Sequence, residues 1–204
     1  TPEFSLFALL RPARAVGGDL YDFFFLDEFH WCFIIGDVSG KGVPAALFMA
    51  VTQTLQRSES EKQHSPGALI SRINNLLVRN NDSMMFVTYF LGVLDIRTGE
   101  VEYTNAGHNP PYILQGCGEL KLLTTRHGPA LGVVENQEYG SSRITLEEGD
   151  ALVLYTDGVV EAMNPEFHEF GAESLRQVLA RDRGLEPRIN GGDIVAAVDR
   201  FADG

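Results

Sequence analysis

The stretch HWCFIIGDVSGKGVPAALFMA, residues 30–50, restricts the fold more than any other part of the chain. Its apolar run, Trp31 to Ile35, is rich in β-branched and aromatic residues and predicts a buried strand. The run breaks at Gly36-Asp37 into a predicted turn holding Gly36, Gly40 and Gly42. Pro44 then opens a helical pattern at a first-turn position, where its missing N–H costs nothing. A strand thus delivers one carboxylate, Asp37, into a glycine-rich loop with a helix start behind it. Backbone without side chains can approach a ligand closely, so the chemistry is expected here.

The rest of the chain sorts into runs of strands and runs of helices. FSLFALL, residues 4–10, is a first strand candidate, closed by Arg11-Pro12. Asp19 and Asp22 lead into the aromatic run Phe23 to Phe25, which reads as core or edge-strand packing, and Asp27-Glu28 reads as a hairpin turn. Four successive strands or strand fragments with tight turns between them favour antiparallel pairing. One helix is predicted over about Pro44 to Gln56. A second begins at Ser65-Pro66 and carries the stripe Leu69, Ile70, Ile73, Leu76 and Leu77. The polar segment Ser58 to His64 connects them. Strands return over Met85 to Ile96, EVEYTNAGH, YIL paired with KLLTT, RITLEEGD, and Ala151 to Thr156, which ends in the turn Asp157-Gly158. Helices over Gly171 to Ala180 and Asp193 to Ala202 complete the order. Such segregation predicts the α+β class, as a four-layer α-β-β-α sandwich of two antiparallel sheets flanked by helices.

Composition narrows the function classes. A chain of 204 residues with no internal linker is expected to form one domain over residues 1–204, long enough for a substantial core. The formal net charge of −12 argues against a nucleic-acid partner or an anionic membrane surface, both of which need a basic footprint. No apolar run reaches the ~18 residues of a membrane span, and no secretory leader is recognised. Cys32 and Cys117 lack metal or redox spacing and read as a core thiol and a loop thiol, so a cytoplasmic location is expected.

Three apolar strands or strand approaches meet carboxylate-glycine turns: Gly18-Asp19, Gly36-Asp37 and Asp157-Gly158. Any one of these is ordinary turn chemistry. Three beside buried strands are harder to dismiss, because clustered, desolvated carboxylates repel unless a cation compensates them. With no cysteine cluster and no paired helical histidines, the ligand set is all oxygen, which suits Mg²⁺ or Mn²⁺. Two such ions, roughly 4 Å apart, hold a hydroxide nucleophile against a phosphoryl group without any serine or cysteine nucleophile. GDVSGKG superficially suggests a nucleotide-binding P-loop, but only three residues separate Gly36 from Gly40 and a glycine follows Lys41. Lys41 is either a surface lysine or a point-charge contact to phosphate.

GGDLYDFF, GDVSGKGVPAALFMA, MFVTYFLGVLD, NAGHNPPYIL, LGV and LVLYTDGVVEAMN occur in one order and spacing. On these strings the chain closely resembles the bacterial SpoIIE-like branch of the PPM metal-dependent protein serine/threonine phosphatases, from about Phe4 to Gly204. The resemblance implies the α-β-β-α sandwich and two Mn²⁺ or Mg²⁺ ions. It implies Asp19, Asp37 and Asp157 as catalytic metal ligands, with the carbonyl of Val38 as another and Asp22 as a secondary candidate. Arg14 stands near the place of a phosphate-binding arginine in some relatives. Implied substrates are phosphoserine or phosphothreonine regulatory proteins, typically anti-sigma-factor antagonists of the STAS type. Implied partners are a sensor or receiver domain preceding this one; a homodimer is left open. His108 in NAGHNPP is expected to fix the turn before Pro110-Pro111.

Two departures from the family pattern matter. Ser39 stands where eukaryotic members carry a histidine, and a hydroxyl is too weak an acid to protonate the leaving alkoxide. The Asp-Asp-x-Thr motif that closes the family's domain does not occur before Gly204, so one metal ligand and a strand are expected to be missing from these 204 residues. That departure keeps a pseudophosphatase, a binding domain without turnover, as the rival reading. A nucleotide cyclase, suggested only by Gly17-Gly18-Asp19, is disfavoured because Leu20-Tyr21 follows.

Overall fold

The computed structural model describes residues 4–11, 17–61, 65–79, 81–181 and 187–204. In chain order the described elements are β1 (Leu20–Phe25), β2 (His30–Val38), α1 (Val43–Ser60), α2 (Pro66–Val78), β3 (Val87–Asp95) and β4 (Glu100–Ala106). There follow β5 (Tyr112–Leu114), β6 (Leu120–Leu122), β7 (Ser142–Thr145), β8 (Ala151–Val153), α3 (Asp157–Val160), α4 (Gly171–Arg181) and α5 (Pro187–Asp203). They divide into two compact units, Leu10–His108 with Thr125–Thr145, and Thr1–Leu9 with Asn109–Thr124 and Leu146–Gly204.

The first unit holds a sheet ordered β1-β2-β3-β4-β7, antiparallel throughout. The β1–β2 hairpin closes where Leu26 N–H donates to the His30 carbonyl at 2.8 Å. The Asp27 carboxylate accepts the backbone N–H groups of Phe29 and His30 and contacts His30 Nδ1 at 2.8 Å. Those bonds, Phe29 N–H foremost, pull the Asp27 carboxyl down to about 2. Alternation along the strands sends Cys32, Ile34, Leu91 and Val93 into a core shared with Leu69, Ile70, Ile73 and Leu77 of α2. On the other face Trp31, Phe33, Phe90 and Tyr103 stack in series with centroids 5.3–6.4 Å apart. Phe33 lies directly opposite Gly92, where an added Cβ would stand 2.3 Å from its ring.

The second unit holds a sheet ordered β6-β5-β8, also antiparallel, with α3, α4 and α5. Its core joins Tyr112 and Tyr155 to Phe170, Leu175 and Leu179, with Phe201 of α5 packed edge-on against Phe170. Strands and helices are therefore segregated as the sequence predicts, and the class is α+β with two antiparallel sheets and flanking helices.

Four local expectations change. No strand forms over residues 4–11, and Leu6, Leu9 and Leu10 are each more than 40% exposed. Apolar composition alone does not make a strand when burial does not drive it, so among the described residues two strands, not four, precede α1. β2 runs on through Gly36 and Asp37 to Val38 instead of breaking at Gly36. Gly36 serves close approach rather than a turn: a Cβ there would sit 2.9 Å from the Thr88 carbonyl oxygen. α1 extends to Ser60, through part of the predicted connection, because Gln56, Glu59 and Ser60 are buried. Asp157-Gly158 opens the short helix α3 instead of a turn. Among the described residues no helix is long and apolar enough to cross a membrane.

Candidate metal centre

Asp19 immediately precedes β1, and Asp37 lies one residue from the end of β2. Leu20 pairs with Gly36, so the two aspartates come to the same end of one hairpin ladder. Pairing continues a step further, where Val38 N–H donates to the Gly18 carbonyl at 3.3 Å. Behind Asp37, in register on β3, stands Thr88, whose hydroxyl lies 2.9 Å from His108 Nδ1. His108 is 1% exposed; its N–H donates to Asn105 Oδ1, and Asn105 Nδ2 donates back to its carbonyl. That exchange, between the Asn105 side chain and the backbone of His108, fixes the turn before Pro110, while the imidazole itself meets Thr88.

Asp157 follows β8 as the first residue of α3, with Thr156 at the N-cap and the Asp157 carbonyl accepting Glu161 N–H at 2.8 Å. Asp19, Asp37 and Asp157, each partly buried, form a group able to hold a metal ion, with one carboxylate oxygen from each within 4.8 Å of the other two. Oxygens bound to one ion at ~2.1 Å are at most about 4.2 Å apart, so the spacing needs only small adjustment. Without a cation the same spacing is unfavourable: two carboxylates at 4.8 Å repel by about 3–4 kcal/mol at an effective dielectric of about 20. The donor set is hard oxygen throughout and fits Mg²⁺ or Mn²⁺.

The other sequence-predicted residues divide. Val38 is 2% exposed, and a Cβ added at Gly18 would stand 2.8 Å from its carbonyl oxygen. Gly18 therefore keeps clear the backbone atom assigned as a ligand on resemblance, a role the Gly17-Gly18 doublet signals only as a turn. Asp22 is not in the group of three. Its carboxylate is held by the Arg57 fork, Nε at 2.6 Å and Nη2 at 2.5 Å, and the Arg57 guanidinium also lies over the Phe24 ring. Lys41 is exposed, between Gly40 and Gly42, whose positive φ values of 84° and 77° turn the chain from β2 into α1. Arg14 lies outside the described residues.

Ser39 has a part that reading by resemblance alone misses. Its hydroxyl accepts Phe86 N–H at 2.9 Å while its own N–H donates to the Phe86 carbonyl at 2.8 Å. The side chain standing where a histidine is found in eukaryotic members is thus a clamp between the end of β2 and the approach to β3.

The family described as Stage II sporulation protein E (SpoIIE) matches residues 27–204. Protein IcfG of Synechocystis sp. is 32% identical over 214 residues, covering 92% of this chain and 34% of that protein. Phosphoserine phosphatase RsbU of Bacillus subtilis is 31% identical over 154 residues, covering 76% of this chain and 46% of that protein. The chain thus spans less than half the length of either relative. Among solved structures, the SiaA-PP2C domain of Pseudomonas aeruginosa superposes with a TM-score of 0.82 at 20% identity, over 95% of this chain and 78% of that one. That likeness carries the fold, the α-β-β-α class expected from the sequence. With the family matched over most of its length and its carboxylates grouped as a metal-dependent hydrolase needs, the chain belongs to the SpoIIE family of PPM-type phosphatases.

Proposed function

We propose that this domain removes phosphate from phosphoserine or phosphothreonine on a regulatory protein, an anti-sigma-factor antagonist of the STAS type. The observation that carries the reading is the grouping of Asp19, Asp37 and Asp157 oxygens within 4.8 Å. The likeness to RsbU, a phosphoserine phosphatase at 31% identity, supports it. Asp19, Asp37, Asp157 and the Val38 carbonyl would hold the metal, two ions of Mn²⁺ or Mg²⁺. When bound, the ions supply a hydroxide nucleophile and neutralise charge developing on the transferred phosphoryl group.

The protein's own part is positional. The hairpin end brings Asp19 and Asp37 together, and Gly18 leaves room for the Val38 carbonyl. Lys41 and Arg14 attract the substrate's phosphate dianion, Lys41 as a mobile point charge and Arg14 as a fork. The Ser39 hydroxyl, which accepts the Phe86 N–H, is too weak an acid to protonate the leaving serine alkoxide, so water does so. A sensor or receiver domain preceding this one governs the output.

The test uses the full-length protein and a phosphoserine-bearing STAS domain, with phosphate release followed in Mn²⁺. Asp37→Ala and Asp157→Ala are each expected to abolish Mn²⁺-dependent release. Turnover unchanged in either variant refutes the assignment, and Mn²⁺ binding without turnover in the wild type identifies a pseudophosphatase instead.

A further inference from the structure

Two asparagines outside the carboxylate group connect α2 to the metal loop through a series of hydrogen bonds joined by short stretches of backbone. Asn74, on the inner side of α2, is fully buried. Its Oδ1 accepts Gly132 N–H at 3.0 Å and its Nδ2 donates to the Val134 carbonyl at 2.8 Å. Asn81 takes up the next link. Its Nδ2 donates to the Gly132 carbonyl at 3.0 Å and to the Met85 carbonyl at 2.6 Å, while its Oδ1 accepts Met85 N–H at 2.9 Å. The following residue, Phe86, exchanges its two bonds with Ser39, which is bonded to Val38 and two residues from Asp37.

The series passes through a point where the backbone has little freedom. Gly132 has φ +91°, and a Cβ there would lie 2.8 Å from the Met85 carbonyl oxygen. Leu131 and Val87 exchange backbone bonds at 2.9 and 3.0 Å, tying the same strap to the first residue of β3. A buried asparagine is retained in such a place only if its amide is satisfied, and both ends of the Asn74 amide are. A leucine at that position would fill the space without holding the strap.

We propose that Asn74 and Asn81 are positioning residues for the metal site, acting through the Ser39–Phe86 clamp on the Val38 carbonyl and the Asp37 carboxylate. The inference rests on the metal-site reading above and adds to it residues that touch neither ion nor substrate. Groups that orient ligands typically change metal affinity 10–100-fold when removed.

Calorimetric titration of the full-length protein with Mn²⁺ alone, beside thermal unfolding in chelator, separates positioning from simple stability. Asn81→Ala and Ser39→Ala are each expected to weaken Mn²⁺ binding by roughly tenfold, with Ser39→Thr restoring it. The double variant should lose less than the product of the two single losses, because both act on one series. A network that only holds the fold together would lower the unfolding temperature in chelator and leave Mn²⁺ affinity unchanged, which overturns the proposal. Ser39→Ala, a change of one partly buried hydroxyl, decides the matter should Asn81→Ala fail to fold. Asp37→Asn marks the boundary with the underlying reading. If Asp37→Asn binds Mn²⁺ as the wild type does, or the wild type binds none, the metal site itself is wrong. If only the Asn81 and Ser39 variants bind normally, the positioning role alone falls.

Discussion

At the scale of single residues, the sequence shows what a side chain is but not what it faces. Asp19, Asp37 and Asp157 were legible because each sits beside a glycine at the margin of an apolar run, a pattern repeated three times. Nothing comparable marks His127, for which the sequence offers no partner. In the structure its Nδ1 accepts Asn105 N–H at 2.9 Å, Nε2 meets Ser142 Oγ at 2.9 Å, and its ring packs edge-on to Tyr103. Nδ1 is thus the acceptor and the proton resides on Nε2, facing Ser142. Burial lowers its pKa from the ordinary 6.5, since the imidazolium is poorly solvated there. A base with a depressed folded pKa contributes stability that is complete above 6.5 and is lost as pH falls below that value. Replacing it is expected to cost about 1 kcal/mol at pH 8, the worth of a hydrogen bond. Thermal unfolding of His127→Gln should then fall less steeply as pH is lowered below 6.5 than that of the wild type. Equal slopes for the two proteins would contradict this role.

At the scale of elements, α2 and the long strands were read well and α1 less so. The stripe Leu69, Ile70, Ile73 and Leu77 of α2 is buried as its spacing requires, with Leu76 half-buried beside it. α1 buries Thr52, Gln56, Glu59 and Ser60, yet leaves Val43, Leu47 and Val51 more than half exposed. Polar residues can face the core because they are satisfied there: Tyr89 O–H donates to Gln56 Oε1 at 3.3 Å and Gln56 Nε2 to Ser60 Oγ at 2.8 Å. Glu59 also pairs with Arg72 of α2. Periodicity finds apolar faces and is blind to a polar one of this kind, which is why the predicted helix stopped four residues early. Arg57 anchors the same half of α1 to β1 through Asp22, whose side chain is 10% exposed against 48% for the arginine. Arg57→Ala removes both charge-assisted bonds and leaves the carboxylate without them. Because the arginine is half in solvent, a loss of about 1–2 kcal/mol is expected in urea unfolding. A midpoint equal to that of the wild type would show that the pair holds nothing.

At the scale of the whole molecule, the segregation of strands from helices was enough to give the class, since only layered arrangements bury so many apolar strands. What could not be read was which sheet each short strand joins. β7 lies beside β4, forty residues earlier in the chain, in the five-stranded sheet, whereas β8, a few residues later, joins the three-stranded one. Strand partners so distant in sequence are chosen by the packing of both faces, and no local pattern records that choice. The charge of −12 has a similar double character. Among the described residues most of the acidic side chains lie at the surface, and three carboxylates stand in the group proposed to hold the metal. Anomalous diffraction from a crystal of the protein soaked in Mn²⁺ tests that assignment directly. The account predicts manganese peaks bounded by the carboxylates of Asp19, Asp37 and Asp157, with the Val38 carbonyl in the coordination shell. Manganese bound only elsewhere, or no peak near these three side chains at saturating metal, would contradict it.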